Sequence, residues 1–215
     1  MSSAEDGRFP RLGDLMAGIA PLKQRKAWQR ELEKIVLEDG PRWGRVEATL
    51  ARLPVAAWQR LKAVILGQVD LRNPAQGWVQ AMPLLNEARA HDHLVRHGFR
   101  DVDFLVAQAH AKSPDLRALR DGRVMLCEVK TVRLGRGDGL AGTLDVKLAQ
   151  RLRDAAQQLG AISDPPDAAR MIYLVLDISD DLQPMAGEIR QQVDRFLAQV
   201  ELAGVDVVVD DNAPA

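Results

Sequence analysis

The stretch that decides the fold is Asp115-Leu116-Arg117-Ala118-Leu119-Arg120-Asp121-Gly122-Arg123-Val124-Met125-Leu126-Cys127-Glu128-Val129-Lys130. Asp121-Gly122 between two strand-like segments is the signature of a hairpin closed by a two-residue type I′ turn. With those two residues as the loop, Arg120 faces Arg123 and Leu119 faces Val124. Facing positions sum to 243, which sets Asp115 opposite Glu128. Counted outward from the turn this is a non-hydrogen-bonded pair, with α-carbons about 4.5 Å apart. Two carboxylates that close repel unless one is protonated or a cation lies between them. Mg²⁺, with oxygen ligands at about 2.1 Å, is the natural occupant. A bulge or a longer loop would break this register.

The second strand is anomalous in its own right. Val124 to Val132 reads as a central strand, yet it carries Glu128 and Lys130 two residues apart. Side chains at i and i+2 share a face. Charges are costly to bury unless they are paired or bind a metal. Cys127 then points to the opposite face, as a core residue.

Working outward, an amphipathic helix is expected from about Trp78 to His97, stopped at Gly98. Extended segments follow near Val102–Ala107, Asp115–Arg120 and Arg123–Val132. A Gly-rich loop, Arg133 to Gly142, leads to a helix from about Leu144 to Leu159. Met171–Ile178 reads as a buried strand, Ala186–Ala203 as a helix and Val205–Val209 as a last strand. Residues 12–70 read as helices only: Leu22–Leu37, stopped by Asp39-Gly40-Pro41, then Trp43–Leu53 and Val55–Val69, punctuated by Pro54 and Asn73-Pro74. Residues 1–10 and 210–215 are read as frayed ends. The sum is an α/β layout with a mixed sheet, divided into a helical region, 1–75, and an α/β domain, 76–215.

Composition bounds the function. The chain has 215 residues, 47% apolar and 27% charged, the balance of an ordinary globular protein. Its single cysteine excludes an internal disulfide and a cysteine zinc site. The apolar runs are too short for a transmembrane helix, and Met1 to Arg8 lacks the order of a signal peptide. The expectation is a cytoplasmic protein without a membrane partner. The net charge of −1 hides an asymmetry: residues 1–153 carry 26 Lys/Arg and 18 Asp/Glu, residues 154–215 carry 3 and 12. That suits a polyanion on one face, and an ordinary solvated surface explains it equally well.

Pro114-Asp115, then Glu128-Val129-Lys130, with Glu87 on the preceding helix, resembles the PD-(D/E)XK nuclease superfamily. The segment Pro114 to Lys130 is similar to the same segment of archaeal Holliday-junction resolvases, and the likeness covers about residues 78–180. It implies a restriction-endonuclease-like mixed sheet flanked by helices, here behind an all-helical N-terminal extension that leaves the subfamily open. It implies metal-dependent hydrolysis of phosphodiester bonds, with DNA as the first expected substrate and Mg²⁺ or Mn²⁺ as cofactor. Asp115, Glu128 and the Val129 carbonyl would hold the metal. Lys130 would position or deprotonate the attacking water and stabilise charge on the phosphate. Glu87 would reach the site from its helix, and a homodimer is open.

Other residues have weaker claims. Lys147, Gln150, Arg151 and Gln158 lie off the apolar stripe Leu148, Leu152, Ala155, Ala156 and Leu159, so they can line a phosphate-tracking groove or simply face water. Arg133 and Arg136 can clamp substrate from the Gly-rich loop, which lacks the Gly-Lys-Ser/Thr of a phosphate loop. His93 and His97 have zinc spacing without further ligands, and a solvated pair is the simpler reading. Trp28, Trp43, Trp58 and Trp78 are expected to pack. Two alternatives to a DNA-cutting enzyme stay open: a nuclease-like module that binds nucleic acid or assembles without turnover, and an RNA-cleaving nuclease of the toxin type.

Overall fold

The computed structural model describes residues 8–105, 113–135, 142–162 and 165–211. The chain divides into two compact units, Met1–Arg96 and His97–Ala215.

The first unit is helical. α1 (Pro10–Ala17) opens on a proline, whose missing N–H costs nothing at a helix start. Glu47 of α3 (Gly40–Arg52) accepts hydrogen bonds from the Arg11 and Leu12 amides at 2.7 and 3.0 Å, so a distant carboxylate caps α1. The Asp39-Gly40-Pro41 stop is also a start. Asp39 closes α2 (Leu22–Glu38) through its amide on Ile35, and its side chain accepts from Arg42 N at the head of α3. α3 therefore begins at Gly40 rather than at Trp43. α4 (Val55–Gln68) and α5 (Pro74–Arg96) follow Pro54 and Asn73, and α5 contains Pro83.

The tryptophans pack as expected. Trp28 and Trp43 meet Trp78 with ring centroids 5.0 and 5.3 Å away. The Trp28 and Trp78 indoles donate to the carbonyls of Leu71 and Trp28, and Trp58 donates to Asp14. These contacts tie α5 to α2, and α5 also packs on α3 and α4. The break between units thus falls at 96/97, one helix later than the 75/76 boundary read from the sequence.

The second unit is a five-stranded mixed sheet in the order β1 (Arg100–Phe104), β2 (Leu116–Arg120), β3 (Arg123–Leu134), β4 (Ala169–Ile178), β5 (Val205–Asp211). β1, β2 and β3 are antiparallel; β3, β4 and β5 are parallel. Parallel neighbours need crossovers, supplied by α6 (Thr143–Gly160) and by a 3-10 turn plus α7 (Ala186–Leu197). β1 starts two residues earlier than predicted, and Ala107 lies outside the described residues. α7 ends at Leu197 instead of Ala203, because the chain must turn into β5, and Gly204 takes the positive φ of that turn (70°).

The even-numbered residues of β3 and β4 face α6 and α7. Leu126 and Ile172 pack with Leu152, Ala155 and Leu159. Val132, Leu134, Leu174, Leu176 and Ile178 pack with Leu144, Leu148, Ile189 and Val193. Glu128 and Lys130 occupy the same face between these two clusters, where apolar side chains are otherwise the rule.

Candidate metal site

The hairpin builds the site. Asp121 and Gly122 have φ of 51° and 76°, the paired left-handed residues of a type I′ turn. From Arg120↔Arg123 to Leu116↔Cys127 every pair keeps the predicted register. β2 then ends, one residue before Asp115 would face Glu128. A further ladder bond from Val129 N–H would fall to Pro114, but the Asp115 carboxylate takes it instead: Oδ2 accepts from Val129 N at 2.7 Å. The Asp115 carbonyl accepts from Leu105 N at 2.9 Å, which holds this residue from its other side.

Glu128 is 1% exposed. Its Oε1 accepts from Lys130 Nζ at 2.5 Å, and its Oε2 accepts from Gln158 Nε2 at 2.9 Å. Gln158 also donates to the Ser113 carbonyl at 2.9 Å, so one amide ties the segment before Asp115 to the glutamate on β3. Burial, and then the negative charge of Asp115, push the Glu128 carboxyl up to about 7; Lys130 and the Asp115 backbone oppose the rise. Burial also raises Asp115, against the pull of the Val129 N–H and the Lys130 charge. The two carboxylates therefore resist being ionised together, as close pairs do.

The donor set fits a hard divalent cation. Asp115, Glu128 and the Val129 carbonyl offer oxygen only, and Asp115 Oδ1 accepts no hydrogen bond from any described residue. A cation would offset the burial that raises both carboxyls and the repulsion from Asp115 that adds to it at Glu128. Among the described residues, no group of three or more His, Cys, Asp or Glu side chains gathers to hold a metal. Two carboxylates with water and substrate oxygens suit Mg²⁺ better than an all-protein cage would.

The remaining predicted residues are placed as follows. Glu87 belongs to the helical unit and is buried on α5 together with Asn86 and His91. Lys147 Nζ donates to the Arg133 carbonyl at 3.2 Å, which brings those two residues together at the C-terminal end of β3. The Arg133 side chain is exposed and stands 3.9 Å from Asp177. Arg151 is exposed one turn beyond Lys147. Arg136 lies outside the described residues.

Gln158 is the residue whose role sequence reasoning missed. Its position off the apolar stripe predicts a groove-lining or a solvated side chain, whereas it braces Glu128. The available signal was topological: α6 runs back along β3, so the end of the helix meets the strand near its middle, and a polar residue beside Leu159 lands on the charged pair.

No protein-family model, no curated protein and no solved structure matches this chain.

Proposed function

We propose that the chain is a metal-dependent nuclease with a restriction-endonuclease-like sheet unit, acting on DNA. The observation that carries this reading is the meeting of Asp115, Glu128 and Lys130 at the end of a hairpin. The strand order, with antiparallel β1, β2 and β3 followed by a helical crossover into parallel β4, supports the fold assignment. Asp115, Glu128 and the Val129 carbonyl would hold Mg²⁺ or Mn²⁺. When bound, such an ion supplies Lewis acidity at a phosphate and lowers the pKa of water.

The chain's own groups divide the remaining work. The Val129 amide fixes the Asp115 carboxylate, and Gln158 fixes Glu128. Lys130, with its side chain only 19% exposed, holds positive charge beside the carboxylates, where it stabilises negative charge developing on a phosphodiester. Lys147, Arg133 and Arg151 supply backbone contacts that weaken with salt. Glu87 is assigned to the same chemistry on the motif alone.

One observation favours a second reading, a nucleic-acid-binding module without turnover. Both Glu128 oxygens already have hydrogen-bond donors within the chain, Lys130 and Gln158. Cleavage of plasmid, branched DNA and structured RNA in Mg²⁺ or Mn²⁺ decides between them, comparing wild type with Asp115→Ala and Lys130→Ala. Metal-dependent cleavage lost in both variants is expected, and the substrate cut fastest names the subclass. Nucleic acid bound equally by all three proteins and cut by none establishes the second reading.

A further inference from the structure

α2 carries a line of cations. Lys23, Lys26, Arg30 and Lys34 follow at i, i+3, i+7 and i+11, and all four are exposed. At 3.6 residues per turn and 1.5 Å rise they fall within roughly 80° of arc and span about 16 Å. The opposite face, with Trp28 and Leu32, is buried in the helical unit. Elsewhere in this unit many cations are neutralised: Arg52 and Arg96 by Asp92, Arg42 by Asp39 and Lys62 by Asp14. Lys23, Lys26 and Arg30 have no ion-pair or hydrogen-bond partner for their side chains among the described residues. Lys34 stands 3.6 Å from Glu31 while keeping 64% of its side chain exposed. Glu33 borders the line without pairing to it.

We propose that this face of α2 is a binding surface for a nucleic-acid phosphodiester backbone. The identity of the polyanion rests on the reading given under Proposed function; the surface itself rests on α2. Along one strand of a duplex, phosphates recur about every 3.4 Å of axis, so about 16 Å offers about five of them. Cations repeating each helical turn can follow such a regular array. A bilayer suits the face less well. An interfacial helix needs an apolar face to insert, and the apolar face of α2 is already used for packing. Of its large apolar side chains only Leu22 and Leu37, at its two ends, are strongly exposed.

The test is fluorescence anisotropy of a labelled DNA duplex with the full chain in EDTA, where cleavage plays no part, titrated at several salt concentrations. A triple variant, Lys23→Gln with Lys26→Gln and Arg30→Gln, is compared with Arg45→Gln, Arg72→Gln and Arg195→Gln, which removes three exposed cations elsewhere. Far-UV circular dichroism confirms that both fold. Loss of three phosphate contacts lowers the slope of log K against log salt by about 2.7. At about 0.1 M salt it weakens binding more than tenfold, and the control variant weakens it much less. Equal binding by wild type and the α2 variant overturns the proposal, as does an equal loss in the control. Absence of DNA binding by wild type overturns it, and so does a parallel titration with phosphatidylserine vesicles in which the α2 variant loses vesicle binding alone. Binding through α2 without cleavage of any substrate would sink the nuclease reading alone, and cleavage with α2 irrelevant to binding would sink this proposal alone.

Discussion

Replacing Glu128 by glutamine removes one titrating group from the sheet unit while keeping its shape and one acceptor oxygen for Lys130; its NH2 then faces the Gln158 amide, which donates to Glu128 in the wild type. The wild-type carboxyl is held at about 7 against an ordinary 4.5, by burial and by Asp115. A carboxyl whose folded pKa lies above its unfolded value stabilises the fold fully below the unfolded value. That contribution falls as pH rises and is lost once pH passes the folded value. At about 1.4 kcal/mol per pH unit, the gap between 4.5 and about 7 is worth about 3 kcal/mol. All four tryptophans belong to the helical unit, so their fluorescence reports on the wrong part of the chain. Hydrogen exchange of the β3 amides, corrected for intrinsic rates and measured from pH 5 to 8 without metal, reads the right one. Wild-type protection should fall by roughly a hundredfold over that range. Glu128→Gln should show a much smaller fall, the residue coming from Asp115, which is also raised. Mg²⁺ added at pH 8 should restore protection in the wild type and not in the variant. The same fall in both proteins would refute the reasoning.

Three further substitutions test other parts of the structure. Gln158→Leu leaves a buried Glu128 oxygen and the Ser113 carbonyl without their donor; it should destabilise the sheet unit by about 1–3 kcal/mol and raise the Glu128 midpoint further. An unchanged β3 exchange profile would show that the brace is idle. Glu47→Ala strips the acceptor from two amides of α1 and should cost about 1–2 kcal/mol, read as an earlier urea midpoint by tryptophan fluorescence. An unshifted midpoint would show that the cap contributes nothing. Gly77→Ala places a methyl 2.2 Å from Trp28 Cζ2, an overlap that a gain of about 1 kcal/mol in helix propensity does not offset. The variant should lose stability and change its near-ultraviolet dichroism, and a stabilised protein would contradict this packing.

The hairpin was legible because its instructions are local. Asp121-Gly122 selects a turn whose geometry sets the register, so the approach of Asp115 to Glu128 could be counted from six residues away. Pro114 ends the ladder for an equally local reason, since the strand stops where the Asp115 side chain takes over a backbone bond. The apolar stripe of α6 was legible in the same way, because a buried stripe repeats within a few turns of its own helix. Boundaries were less so. Asp39-Gly40-Pro41 says that one helix stops, but its second role as the start of α3 depends on where the Asp39 side chain points.

What sequence determined alone is therefore the α/β class, the hairpin and the alignment of Glu128 with Lys130 on one face. Turn chemistry and the two-residue repeat of a strand act between neighbours. Tertiary structure alone decided that α5 packs with the helical unit, that Glu47 caps a helix 35 residues away, and that Gln158 braces Glu128 across 30 residues of chain. Those contacts join groups with no local reason to meet. They form only when apolar faces close on one another, and the polar groups carried along must then find partners where burial leaves them.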